Sequence, residues 1–243
     1  MCTLNIVKGL AVAAIILAAI AMALLWARSN PEDLPWTQLD LADPVGAFTG
    51  RKLSRLTGDT PLCRNLLDDA GIAYEALPPR DSGPNCSYSD ATRPTAASGP
   101  QQVVLAPTDV TISCPVVAAL SLWEWHSLQP AAIEHLGSPV ARIEHYGGYS
   151  CRRMYGAETG RWSEHATADA LDIAAFVTED GRRVSVVSGW NGEADEQAFL
   201  RDVRDGACDL FATVLSPDYN AAHADHFHLD MARRGAISGG VCR

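Results

Sequence analysis

The sequence predicts an α+β domain, an antiparallel sheet with flanking helices, behind an N-terminal transmembrane helix. Strand-like runs at residues 140–145, 171–177 and 226–231 are mixed with an amphipathic helical pattern over residues 196–215. These patterns do not alternate regularly as βαβ units would, and no internal repeat is visible. The mixture therefore favours α+β over a parallel α/β architecture.

The first predicted element is a membrane helix. Residues 9–27 carry no charged side chain, and as a helix rising ~1.5 Å per residue they would nearly span the ~30 Å hydrocarbon core of a bilayer. This run is longer than the roughly 7–15 apolar residues of a cleaved signal peptide. Its length therefore favours an uncleaved anchor, formed by residues 1–28. Cys2 lies before the apolar run, so it is not placed like a lipoprotein cysteine. We expect an inner-membrane anchor with a periplasmic domain.

Cysteine usage also favours export. Six cysteines follow the predicted anchor, an even number that is typical of disulfides in an oxidising compartment. Sequence alone leaves 15 pairings open; moderate loop lengths favour Cys63 with Cys86, Cys114 with Cys151, and Cys208 with Cys242. A thiolate metal site is the rival interpretation, but no C-x-x-C spacing occurs.

The rest of the chain divides into a linker and one domain. Residues 29–61 are rich in Pro, Asp and Gly, and their apolar side chains are too sparse for a core, which predicts a loosely packed stalk. Residues 62–243 have a globular composition. Their predicted helices are residues 63–70, 114–126, 130–136 and 196–215, and their predicted strands are residues 103–105, 140–145, 171–177, 184–187 and 226–231. Loops are expected at residues 78–84 and 93–100, and a turn at Asp180 and Gly181.

Net charge limits the partners. The formal charge of −10 should repel polyanions, so nucleic acid is excluded as an expected partner. The membrane, through the N-terminal helix, is an expected partner.

Two short tracts concentrate histidine with acidic residues, SEHATADALD at 163–172 and HADHFHLD at 223–230. A hydrolytic zinc site needs three nitrogen or oxygen ligands and one open position for water. His165, Asp172 and one histidine of the second tract would supply the ligands. His226 and His228 would project from the same face of a strand, because side chains alternate with a period of two.

These tracts resemble known sequences. Ser163, His165, Ala170 and Asp172 match the S-x-H-x-x-G-x-A-x-D signature of zinc peptidases that include D-alanyl-D-alanine carboxypeptidases and murein endopeptidases. The tract from Asp225 to His228 resembles the closing acid-His-x-His tract of those enzymes. More closely, residues 62–243, with SCP, YSCR, DGAC and LSPDYNAAHADHFHLD, resemble the bacterial extensin-like C-terminal domain. The resemblance implies a D-Ala-D-Ala peptidase or hedgehog-like fold.

The resemblance also implies roles for individual residues. His165, Asp172 and His228 would bind Zn²⁺, and Asp225 would be the general base that takes a proton from the attacking water. His226 would donate to the developing oxyanion. For clamping a substrate carboxylate the candidate is Arg152, with Arg153 as its rival.

Several residues have alternative interpretations. Asp225 lies at odd spacing from His228, so Asp230, at even spacing, is the alternative base. Ala168 stands where the signature has glycine. If the turn between the first two predicted ligands needs a positive φ, alanine is disfavoured at this position. We interpret His145 and His223 as ordinary polar residues, and Ser163 as an orienting hydrogen-bond partner. The tryptophans that could line a sugar groove are expected in the core instead; they are Trp123, Trp125 and Trp162.

The predicted function is that of a zinc-dependent peptidase or amidase acting on peptidoglycan stem peptides in the periplasm. The alternatives are a non-catalytic wall-binding or scaffold module that retains the metal, and a structural protein without one.

Overall fold

The computed structural model describes residues 2–95, 103–232 and 240–243. Helix α1, Cys2–Ser29, contains the apolar stretch Val7–Ser29, whose mean hydropathy is 2.7 and whose most apolar window is not buried by any part of the chain that the structure describes. This helix is long and apolar enough to be a membrane span, and a signal sequence would look the same.

The domain that follows mixes helices and strands, as predicted. The helices are α2 (Thr49–Arg55), α3 (Thr60–Asp69), α4 (Cys114–Trp123), α5 (Gln129–Leu136), α6 (Val186–Gly189) and α7 (Ala194–Cys208). The strands are β1 (Tyr74–Ala76), β2 (Ala91–Pro94), β3 (Val104–Ala106), β4 (Ile112–Ser113), β5 (Val140–Gly147), β6 (Ala170–Thr178), β7 (Arg183–Ser185), β8 (Thr213–Leu215), β9 (Phe227–Asp230) and β10 (Val241–Cys242).

The strands form a larger mixed sheet and a smaller antiparallel one. The larger sheet has the order β10-β8-β9-β6-β5-β3, with β7 paired to the far end of β6, and the smaller has the order β1-β2-β4. The pairs β3 with β5 and β10 with β8 are parallel. The α+β class is therefore confirmed, whereas a purely antiparallel sheet is wrong at both edges. At one edge the cause is the crossover from β3 to β5 through α4 and α5, which makes the two strands run the same way.

A core between the sheet and its helices holds the central strands in place. Trp123 is buried and its indole Nε1 donates to the carbonyl oxygen of Val203 at 2.8 Å. The ring of Phe176 lies 6.0 Å from that of Trp123 and 5.2 Å edge-to-face from that of Phe199. Trp123 thus lies in the core as predicted, and Trp125 packs against it.

Several element boundaries differ from the predictions. The helix expected over residues 196–215 ends at Cys208, because residues 213–215 form the buried strand β8. Strand β7 ends at Ser185, whose side chain accepts from the amide of Ser188 and begins α6. Strand β9 is not the last, since β10 follows it. In the loop predicted at residues 93–100, Arg93 and Pro94 belong to β2, and residues 96–100 lie outside the described residues.

The described cysteines form three disulfides, of which one pairing was predicted correctly. Cys208 pairs with Cys242, as expected. The other predicted pairings are wrong: Cys63 pairs with Cys114 and Cys86 with Cys151, with Cα–Cα distances of 6.1 and 5.2 Å. Loop length misled here, because α3 packs beside the start of α4 and so brings Cys63 to Cys114.

The segment predicted to be a loose stalk packs against the domain. Leu41, Leu53 and Leu56 are at most 2% exposed and belong to the same core cluster as α4 and α7. The backbone at Gly50 lies so close to residue 209 that a Cβ there would come within 2.3 Å of the carbonyl oxygen of Asp209. Buried Lys52 donates from Nζ to the Pro31 carbonyl oxygen at 2.8 Å. The expectation of loose packing is thus wrong; the domain boundary at residue 62 stays a prediction.

Truncation of Leu53 tests this packing. We expect Leu53→Ala to lower the free energy of unfolding by about 2–4 kcal/mol, because it leaves a cavity in a closed core. The matched control is Trp36→Ala in the same segment, since Trp36 is 76% exposed, and its effect should stay within about 0.5 kcal/mol. The measurement is chemical unfolding of the full chain in detergent, followed by circular dichroism. If both substitutions changed the free energy of unfolding by equal, small amounts, the segment would be a loosely packed stalk after all.

Candidate metal centre

The candidate centre is built on one cross-strand pair. Strands β6 and β9 are antiparallel, and their register places Asp172 directly opposite His228. Directly opposed side chains lie on the same face of a sheet with their Cβ atoms only ~5 Å apart. The Asp172 Oδ1 atom accordingly lies 2.9 Å from Nδ1 of His228.

A short 3₁₀ turn, Glu164–Thr167, brings His165 to the same point. The Ser163 side chain accepts from the His165 amide at 3.4 Å, the orienting role expected of it. His165 Nε2 lies 3.0 Å from Asp172 Oδ2 and 3.2 Å from His228 Nδ1. The structure thus brings together His165, Asp172 and His228, with one donor atom from each within 4.8 Å of the others.

Hydrogen bonds fix which nitrogen of each imidazole faces the cluster. His165 Nδ1 lies 2.6 Å from the carbonyl oxygen of Gly148, which can only accept, so this nitrogen carries the proton and Nε2 offers its lone pair inward. His228 Nε2 lies 3.2 Å from Oδ2 of buried Asp230, which leaves Nδ1 facing inward in the same way. Metal-binding histidines usually have their outer N–H held by a carbonyl or a carboxylate in this manner. Asp230 is therefore placed to orient His228.

The electrostatics of the cluster favour positive charge. Burial alone would raise the pKa of Asp172, but the adjacent imidazoles of His165 and His228 hold that pKa well below its usual range. Burial likewise lowers the pKa of His228, yet its contacts with Asp172 and Asp230 raise it overall to about 9. Two buried carboxylates converging on one imidazole need a cation among them, either a proton or a metal ion.

Asp225 and His226 form a pair beside this cluster. Asp225 Oδ1 lies 2.8 Å from His226 Nδ1, and the His226 Nε2 atom lies 3.6 Å from Asp172 Oδ1. The pKa of Asp225 is lowered, chiefly by its hydrogen bond with His226. His226 rather than Asp225 therefore makes the nearer approach to the ligand cluster.

The structure separates the two rival arginines. Arg152 Nη2 lies 3.9 Å from Asp172 Oδ2, and the adjacent Cys151 is held in a disulfide. The guanidinium of Arg153 instead stacks over the Trp162 ring, 4.5 Å from its centroid. Arg152 is thus the arginine that faces the cluster.

The match to a family model covers most of the chain that forms this site. The family described as "Extensin-like protein C-terminus" matches residues 61–243. The chain belongs to the extensin-like C-terminal family. Searches of curated proteins and of solved structures gave no match.

A cleft of roughly 380 Å³ opens beside the cluster of the extensin-like domain. Its wall includes Trp162, so this tryptophan does not lie in the core as was predicted. Exposed Tyr155 and half-exposed Tyr219 also line it. The cleft opens onto the face of the sheet that carries Asp172 and His228.

His223, interpreted from the sequence as an ordinary polar residue, lines the same cleft. Its ring is buried, 5.1 Å from that of His226 and 6.0 Å from that of His228, and its Nδ1 lies 2.8 Å from Asn220 Oδ1. Burial, followed by the charges of His226 and His228, lowers the pKa of His223 to about 4. Its membership of the second histidine tract was the signal that could have identified it. His145, in contrast, lies outside the cluster, with Nε2 2.7 Å from the Pro107 carbonyl oxygen.

Ala168 occupies the position of the signature's glycine and adopts the backbone that glycine would favour. Its φ is 65°, in the left-handed region, and its side chain is completely buried. An L-residue in this conformation costs roughly 1–2 kcal/mol. The turn between His165 and Asp172 thus keeps the expected shape despite the alanine.

Substitutions at Ala168 test this strain. We expect Ala168→Val to lower the free energy of unfolding by about 2–4 kcal/mol, because a β-branched residue is a strong outlier at positive φ. We expect Ala168→Gly to change the free energy of unfolding by no more than about 1 kcal/mol. Relief of backbone strain stabilises this variant, whereas loss of the buried methyl group and the greater freedom of the unfolded chain destabilise it. Denaturant unfolding monitored by circular dichroism measures both.

The matched control is Ala166→Val, in the same buried turn but within its 3₁₀ portion. It adds the same two methyl groups without the positive φ. Equal losses from the two valine variants would show that crowding, and not backbone conformation, limits this turn.

Proposed function

We propose that this extensin-like domain is a zinc-dependent peptidase or amidase that acts on peptidoglycan stem peptides in the periplasm. The observation that carries the proposal is the convergence of His165, Asp172 and His228 beside an open cleft, with both outer imidazole nitrogens held by acceptors. The N-terminal apolar helix and the three disulfides support an exported, membrane-anchored location.

The donor set fits zinc. Two imidazoles and one carboxylate are a ligand combination of catalytic zinc sites, which leave a further position for water or substrate. The similarity of Ser163, His165, Ala170 and Asp172 to the zinc peptidase signature supports the same metal. When bound, zinc would lower the pKa of a coordinated water and polarise the scissile carbonyl.

We assign proton transfer to Asp225 and His226 together. A general base must lie within hydrogen-bond reach of the proton that it takes, and His226 Nε2 is the nearer of the two groups to the ligand cluster. Asp225 accepts from His226 Nδ1, which fixes the ring and stabilises it once Nε2 has taken a proton. In this arrangement His226 takes the proton, and Asp225 acts by orienting the ring and stabilising its charged form. The protonated Nε2 then faces the position where an oxyanion would develop.

Arg152 is assigned to substrate binding. Its side chain is 41% exposed beside Asp172, so the guanidinium can reach a ligand in the cleft. A guanidinium matches a carboxylate with two parallel hydrogen bonds, which suits a peptide that ends in a free carboxylate. Stem peptides that end in D-alanine present such a group.

Metal content is the first test. We expect about one zinc per chain in the purified protein, and a loss of affinity of at least ~100-fold in His165→Ala and in Asp172→Ala, because each removes a ligand. Elemental analysis after dialysis against a weak chelator measures this. His135→Ala is the control and should keep its zinc. His135 lies with Glu134 and Asp202 in a separate group whose geometry could also hold a metal. Full zinc occupancy in both ligand variants would refute the assigned centre.

Hydrolysis of cell-wall material is the second test. We expect the zinc-loaded protein to release or shorten stem peptides in purified sacculi, detected by mass spectrometry. Asp225→Ala and His226→Ala should lower the rate by about 10²–10⁴-fold, the usual contribution of a general base. Asp205→Ala, an exposed carboxylate on α7, is the matched control and should keep full activity.

The outcomes separate the proposal from its alternative. Equal product from Asp225→Ala and the unchanged protein would show that Asp225 has no role in proton transfer. Zinc binding without any product would favour a wall-binding module that retains the metal.

A further inference from the structure

Resting on the proposed metal centre, we propose that Asp169 is a positioning residue that locks the His165 turn and so sets the affinity for the metal. Asp169 contacts none of the three ligand side chains, and neither the zinc-site geometry nor the cleft includes it. Its influence on the metal would be exerted through the backbone that carries His165.

Asp169 closes the turn with both its backbone and its side chain. Its amide donates to the Glu164 carbonyl oxygen at 3.0 Å, which spans the whole 3₁₀ segment. Its Oδ2 accepts from the Thr167 hydroxyl at 2.8 Å. The side-chain bond therefore ties the end of the turn to the residue that follows left-handed Ala168.

The same residue joins the turn to the second ligand-bearing strand. The Asp169 carbonyl oxygen accepts from the Met231 amide at 2.9 Å, immediately after β9. Next to it, Ala170 is paired in register with Asp230, the carboxylate that orients His228. Ser113 adds a third tie, since its amide donates to the Ala168 carbonyl oxygen at 2.8 Å. Asp169 thus lies where the two halves of the metal centre are joined.

The surroundings of Asp169 favour its neutral form. Burial first, and then the negative charge of Asp90, raise the pKa of the Asp169 carboxyl to about 7; Glu164 adds to this, and the hydroxyls of Ser113 and Thr167 oppose it. Burial also raises the pKa of Asp90, and the charge of Arg64 opposes that rise. In the unfolded chain the carboxyl ionises near its model value of 3.8. The stability that it contributes is therefore present at acidic pH and lost as the pH rises towards 7.

Three variants test the positioning role through zinc affinity, measured on the folded full chain by competition with a chromophoric chelator. Thr167→Val removes the hydroxyl donor at nearly constant shape, and Asp169→Ala removes the acceptor. Both should weaken zinc binding by about 10–100-fold, the range seen for residues that orient ligands. Asp169→Asn keeps an oxygen acceptor for Thr167 and should bind zinc within about threefold of the unchanged protein.

The matched control is Thr178→Val at the opposite end of β6. Thr178 is also buried, and its hydroxyl also donates to a nearby carboxylate, that of Asp180. This variant should lose stability but keep full zinc affinity. If Thr167→Val and Asp169→Ala also bind zinc as tightly as the unchanged protein, Asp169 has only a structural role and the inference is overturned.

Two further measurements separate this inference from the proposed function. An unchanged protein that binds no zinc would refute the metal centre itself. Hydrogen exchange in metal-free protein still reports on the lock, because the amides of Ala168 and Asp169 should exchange faster in Thr167→Val than in Thr178→Val. Thermal melting gives the pH signature: the melting temperature of Asp169→Asn relative to that of the unchanged protein should rise as the pH increases from about 4 to 8, because the ionised carboxylate destabilises only the unchanged protein. The same difference in melting temperature between the two proteins at both pH values would contradict a buried, neutral Asp169.

Discussion

The register between β6 and β9 is the constraint on which the candidate site depends. Asp172 lies opposite His228 only because Leu171 lies opposite Leu229 and Ile173 opposite Phe227, and these four apolar side chains are fully buried. A slip of one residue would move every side chain of the strand to the other face of the sheet. The hydrophobic core beneath the sheet therefore fixes the geometry of the polar cluster above it.

His165, the third member of the cluster, is positioned differently, by backbone contacts around one glycine. The carbonyl oxygen of Gly148 holds the outer nitrogen of His165, and a Cβ at Gly148 would come within 2.2 Å of the Thr111 carbonyl oxygen. The disulfide from Cys86 to Cys151 and the bond from the Tyr149 hydroxyl to the Cys86 carbonyl oxygen hold the residues that follow. Close packing of the backbone thus fixes the position of His165, whereas strand register fixes the positions of Asp172 and His228.

Features that depend on neighbouring residues could be predicted from the sequence. The alternation in residues 140–145 and the clustering of His165 with Asp172 are visible along the chain, so the central strands and the cluster's members could be predicted. The pairing of Cys63 with Cys114 could not, because it follows from how two helices pack. The burial of Leu53 was missed for the same reason: sparse apolar residues look like a linker unless the surface that covers them is known. His223 was interpreted as an ordinary polar residue although it lies in the second histidine tract, because only folding places its ring against that of His226.

Backbone strain gives independent evidence for the location of the site. Among the described residues with positive φ, all are glycine except Tyr155 and Ala168. Ala168 lies between His165 and Asp172, and Tyr155 lines the cleft, where its hydroxyl accepts from Asn220 Nδ2 at 3.2 Å. Such conformations cost energy and persist only where the surroundings determine them, most often at functional sites. At Ala168 the surroundings are the hydrogen bonds from Ser113 and within the His165 turn, so the strain is stored in the same segment that positions His165.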